Sequence, residues 1–241
     1  MEEAKAEAKP EATGPVASPL FIAALLAVLA VYTVWGALHA GRMRALRHPD
    51  RMALYTVTLL FEWLLFGFVA LGLRLRGIPL AVLIGDRWCS ARALLHDIGI
   101  AGAFWVVSLL LLGVLSFLMG VTATGKEMSF LLPRGSLEIA LWLVLSTSAG
   151  ICEETVFRGF LQRQFTAWTK SAVAGIAVSA IAFGAAHAYQ GWRRALLIVF
   201  YGAMFGVLAH WRRSLRPGMM AHAWQDSVSG ILGGLLQRHP I

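Results

Sequence analysis

The sequence predicts an all-α fold, a polytopic bundle of about seven to eight transmembrane helices, and three observations carry that prediction. Of 241 residues, 58% are hydrophobic and only 14% charged, with a mean hydropathy of +0.68, outside the balance of an ordinary soluble domain. Apolar runs recur along the whole chain, each near the roughly 20 residues that span about 30 Å of hydrocarbon. The ten-residue alternation of an outer-membrane barrel is missing, and lipid admits only elements that satisfy their own backbone, which leaves helices.

The elements follow in order. Residues 1–18 mix Glu, Lys, Ala and Pro with almost no large apolar side chain, so a mobile tail is expected there and a single helical membrane domain over 19–241. The first apolar run, 19–40, is too long for a signal-peptide core and has no basic flank before it, so it reads as a retained helix. Further spans are expected near 52–73, 93–119, 136–164, 171–189, 194–210 and 218–236. Residues 77–92, with Pro79, Gly85 and Asp86, read as a loop along the interface. An eighth span would arise if that loop, or the segment near Phe130, re-enters the membrane.

A net charge of +8 and a pI near 10.2 raise the question of nucleic acid. The basic residues, however, sit in short loops such as Arg42-Met43-Arg44, Arg193-Arg194 and Arg212-Arg213, with no basic arm or recognition motif. They read as topology signals and headgroup contacts, and no nucleic-acid partner is expected. Their small excess on the N-terminal side is in the direction of a cytoplasmic N-terminus. Cys89 and Cys152 lie far apart and imply no disulfide framework.

Chemistry concentrates in three later segments. Residues 151–158 read Ile-Cys-Glu-Glu-Thr-Val-Phe-Arg, placing charges where the chain should be inside a bilayer. On a helix Glu153 and Glu154 diverge by about 100°, whereas Glu154 and Arg158, four residues apart, share a face. One carboxylate can therefore be neutralised while the other stays free; a structural ion pair is the plain alternative. Cys152 beside Glu153 leaves open a thiol nucleophile, against the plainer role of a small packing residue. The next segment ends on Phe183 and His187, on a face that runs back through the small residues Ser179 and Gly175. In the last, His222 and Asp226 stack about 6 Å apart along one face, which suits a metal site, an oriented base or a polar clamp. His39, His48, His96, His210 and His239 lack such a partner and read as structural.

In this order, Glu-Glu-x-x-x-Arg, Phe-x-x-x-His and His-x-x-x-Asp, each on its own apolar segment, resemble the CPBP family of intramembrane proteases, which includes bacterial Abi-type proteins and CAAX prenyl proteases. The resemblance covers a protease-like core of about 137–236. It implies that Glu153, with His187, holds and activates an attacking water, that Glu154, Arg158 and Phe183 support the site, and that His222 and Asp226 stabilise the oxyanion or otherwise complete it. Many family members carry Asn where this chain has Asp226. An ionised Asp cannot donate to an oxyanion, so Asp226 must be protonated, orient His222, or ligate a metal. Zinc held by Glu153, His187 and His222 is chemically acceptable; metal-independent glutamate chemistry is favoured, and no cofactor is expected.

The partners expected are the lipid bilayer and a membrane-associated protein or peptide, cleaved in the C-terminal region near the membrane surface; prenylated tails, other sorting tails and small peptides all fit the resemblance. An Ala- and Arg-rich, Lys-poor chain looks prokaryotic, which places it in a cytoplasmic membrane as a multi-pass protein and makes a prenylated substrate less expected. The competing class is a proton- or ion-coupled transporter or a silent scaffold, in which Glu62 and Asp97 would join the polar path; under the protease reading both are peripheral structural polars.

Overall fold

The computed structural model describes residues 14–46, 49–85, 87–121 and 128–238, and among these the secondary structure is entirely helical. Helix α1 (Pro19–Ala45) starts on Ser18, whose hydroxyl accepts from Phe21 N, with proline in the first turn. Asp50 and Ser90 cap α2 (Arg51–Leu75) and α4 (Ala91–Leu118) in the same way. Between them lies the short α3 (Leu80–Ile84), inside the segment expected to be an interfacial loop. Asp86, His48 and His239 fall outside the described residues.

The fourth long rod is compound. Helix α5 (Ser136–Glu153) widens into a π-helix, Glu154–Gln162, and resumes as α6 (Arg163–Thr169). Lys170, in the left-handed region at φ 58°, turns the chain into α7 (Ala172–Ala186), capped by Ser171. A single 3-10 turn, Ala188–Gln190, leads to α8 (Trp192–Arg212), and α9 (Arg216–Arg238) follows.

Long helices thus occupy all seven expected places. Five are both long and apolar enough to cross a membrane by themselves: α1, α2, α4, the 136–169 rod and α8. Helix α7 is apolar but has only 15 residues, roughly 23 Å at about 1.5 Å per residue. Helix α9 falls short of the required hydropathy because it carries Arg216, His222, Gln225 and Asp226.

The packing is that of a lipid-solvated bundle. Helix α4 buries Asp97, Ala101 and Ser108 while Leu110, Val114, Phe117 and Leu118 face outward, an inversion that makes sense where the solvent is hydrocarbon. Indole N–H groups pin the helices around the core. Trp63 Nε1 donates to Ser148 Oγ between α2 and α5, Trp105 Nε1 to Gln225 Oε1 between α4 and α9, and Trp142 Nε1 to the Asp226 carbonyl between α5 and α9. Helices α5 and α9 approach so closely that a Cβ on Gly150 would lie 2.6 Å from the Met219 carbonyl oxygen. Of the residues expected to form a tail, those up to position 13 lie outside the description; Val16 and Ala17 are buried, and Ala17 exchanges hydrogen bonds with the Gln164 side chain.

Candidate active site

The π-helical stretch is the foundation. All nine of its residues are buried, and π turns inside α-helices are frequent at functional sites. Thr155 Oγ1 donates back to the Ile151 carbonyl at 2.7 Å, taking up an acceptor of the ordinary ladder where the winding changes. Glu153 is the last α-helical residue and Glu154 the first of the wider turn, so the two carboxylates leave the rod in different directions.

Glu154 points into the protein. Its Oε1 lies 3.0 Å from Arg158 Nη1 and 3.1 Å from His222 Nδ1, and Glu154, Arg158 and His222 are all at most 3% exposed. The Arg158 guanidinium lies over the rings of Phe183, Phe205 and Phe157, with centroids at 4.1, 5.1 and 5.9 Å, and its Nη2 donates to the Gly202 carbonyl. Three aromatic faces and one carboxylate thus compensate a cation removed from water. A Cβ on Gly202 would come 3.2 Å from that same Nη2, so the cation packs tightly against α8 where the helix carries no side chain.

Glu153 points the other way, onto the wall of a cavity of about 130 Å³ that it shares with His187 and Asp226. Its Oε2 has no hydrogen-bond partner. His222 bridges the two carboxylates. With Nδ1 against Glu154, its Nε2 faces Glu153 Oε2 at 3.6 Å and Asp226 Oδ2 at 3.5 Å, too far for direct hydrogen bonds. His222 itself does not line the cavity; it backs the two carboxyls that do.

His187 ends α7. Its Nδ1 sits 2.9 Å from the Phe183 carbonyl, which can only accept, so Nδ1 carries a hydrogen and the neutral ring keeps its lone pair on Nε2. Phe183 meets His187 edge-on at 4.7 Å and His222 at 5.9 Å, filling the space among both imidazoles and Arg158.

Residues 135–228 match the family model described as "Type II CAAX prenyl endopeptidase Rce1-like", a stretch that holds all three motifs. This segment is similar to that family of prenyl endopeptidases. No curated protein and no solved structure matches the chain. The match starts within two residues of the core expected from the motifs and leaves α1 to α4 outside it. Five helices long and apolar enough to cross a membrane accompany this match.

The matched segment does not form the cavity alone. Tyr32, Trp35 and His39 of α1, Thr58 and Glu62 of α2, and Phe130 also line it. His39, which carried no sequence signal, stacks on Trp35 along that wall. Glu62 was expected to be a peripheral polar and instead shares the cavity with Glu153; its placement depends on which face of α2 meets α5, which sequence alone does not reveal. Asp97 lies elsewhere, held by Arg212 Nη2 at 3.1 Å and Trp88 Nε1 at 2.9 Å. The polar path of the transporter alternative therefore lacks one of its two extra members. Cys152 is buried on the cavity wall, with Glu62 and Glu153 as its ionisable neighbours rather than the cations that activate a thiol. Among the described residues no group of three or more His, Cys, Asp and Glu side chains is disposed to hold a metal ion.

Proposed function

We propose that the chain is an intramembrane endopeptidase that hydrolyses a peptide bond near the membrane surface, in the C-terminal region of a membrane-associated or lipidated protein. The observation that carries this is Glu153 Oε2, buried, unpartnered and on a cavity wall that His187 and Asp226 share. A carboxylate with an open coordination sphere beside an imidazole and a second carboxyl is poised to hold water. In this mechanism a water donates one hydrogen bond to Glu153 and one to His187 Nε2. As its oxygen attacks the scissile carbonyl carbon, the water's proton passes to Glu153. The tetrahedral intermediate then collapses when its amine nitrogen is protonated and the C–N bond breaks.

Glu154 and Arg158 act through His222. They fix its Nδ1 and hold its Nε2 toward the reacting carboxyls, where with Asp226 it completes the oxyanion side of the site. Asp226 is taken as a neutral hydrogen-bond donor, and the reaction as metal-independent. The family description names prenyl substrates; the Ala- and Arg-rich composition favours a prokaryotic cytoplasmic membrane and a non-prenylated tail. Reconstituted protein tested against internally quenched tail peptides, with and without a prenyl group, separates these. The proposal expects cleavage that Glu153→Gln abolishes, and cleavage by the variant at the wild-type rate would refute it.

A further inference from the structure

Glu62 is the one acidic residue of the cavity that none of the three motifs contains. It sits on the inward stripe of α2, in line with the buried Tyr55, Leu65 and Val69, where an apolar side chain would serve packing better. The residue is 6% exposed, and its Oε2 is buried without a hydrogen-bond partner. It lines the same cavity as Glu153, His187 and Asp226 and lies within electrostatic reach of both carboxyls. Among the described residues its charged neighbours are the Glu153 and Asp226 carboxyls, and an unpaired carboxyl at membrane depth costs stability.

The peptidase reading leaves one task unassigned. Glu153 takes the water proton on attack, and the amine nitrogen needs a proton before the C–N bond breaks, because an amine is a poor leaving group without it; activation of the water leaves its donor unnamed. Carboxyls crowded into one desolvated cavity share protons rather than all ionising, so a carboxyl other than Glu153 can hold the proton that the nitrogen needs.

We propose that Glu62 is the general acid of this hydrolysis, an inference that rests on the peptidase reading. Its carboxyl proton passes to the scissile nitrogen as the C–N bond breaks and the bonding pair leaves with that nitrogen. Glu153, which took the water proton, returns one to Glu62 through cavity water and the site is reset. The net change is one water consumed per peptide bond, with no oxidant, metal or other reactant. Because α2 lies outside the CAAX-family segment, the catalytic pair would join the matched core to the N-terminal helices.

A leaving-group comparison tests this. A cleavage site is first identified by comparing membrane-protein C-termini from cells carrying the wild type and Glu153→Gln; finding none ends the peptidase reading itself and this inference with it. Two peptides spanning that site are then made, one with the scissile amide and one with an ester in its place, whose alkoxide leaves with far less help from an acid. Glu62→Gln should slow amide cleavage on the order of 100-fold or more while ester cleavage stays within a few-fold of wild type, and Glu153→Gln should abolish both. Glu62→Leu should melt no lower than wild type. Equal loss on both peptides, no loss on either, or a marked fall in melting temperature for both Glu62 variants would overturn the proposal, the last by making the carboxyl structural.

Discussion

At the scale of single residues, two adjacent glutamates occupy opposite environments. Glu154 is enclosed by Arg158 and His222, whereas Glu153 keeps a free oxygen in the cavity. Removing a base lowers rate more than stability, so Glu153→Gln should lose about 100-fold or more of cleavage while melting almost as wild type; Cys152→Ala should stay active in the same assay. Arg158 should behave in the reverse manner. Its side chain is fully buried against Glu154, and Arg158→Met strands that carboxylate, so thermal unfolding in detergent should show a loss of roughly 3–5 kcal/mol. Asp226→Asn retains a donor of the same shape and should keep much of the activity, with elemental analysis finding no stoichiometric zinc. Zinc that is lost together with activity in that variant would instead indicate the metal mechanism, where such a change weakens binding about 10- to 100-fold. The pairing of Arg158 with the second glutamate was legible in the sequence, since Glu-x-x-x-Arg spacing places those two on one face. The place of Glu62 on the cavity wall was not, because spacing along one helix says nothing about which neighbour its face will meet.

At the scale of elements, the helices were readable because start signals and apolar runs agree. Ser18, Asp50, Ser90 and Ser171 each cap the helix that follows. The π-helix was not readable: Glu154–Gln162 has the same residues whichever way it winds, and its winding reflects burial on every side rather than local preference. The short α3 was hidden for a similar reason. It is held by partners distant in sequence, with Arg163 donating to the Val82 and Leu83 carbonyls and Arg216 to that of Gly85. The contact between α5 and α9 fixes where His222 and Asp226 stand relative to Glu153. Gly150→Ala forces a Cβ against the Met219 carbonyl and should cost about 1–3 kcal/mol by overpacking. Peptide cleavage should fall with it even though no cavity-lining side chain is changed, and unaltered stability and rate would show that this approach is not what sets the site.

For the whole molecule, the outward leucines and Phe117 of α4 and the carboxyls and imidazoles gathered on an inner cavity wall describe one solvent relation: apolar surface outside, ionisable groups inside. The CAAX-family segment supplies the three motifs, and α1 and α2 close the cavity with Tyr32, Trp35 and Glu62. The central claim is that Glu153 activates water for peptide hydrolysis in this cavity. Its most direct test is a proteomic comparison of membrane-protein C-termini in cells making equal amounts of wild type or Glu153→Gln, grown with oxygen-18 water. The account predicts a discrete set of shortened C-termini, labelled in the new carboxylate, in the wild-type cells alone. The same labelled termini in both would contradict it.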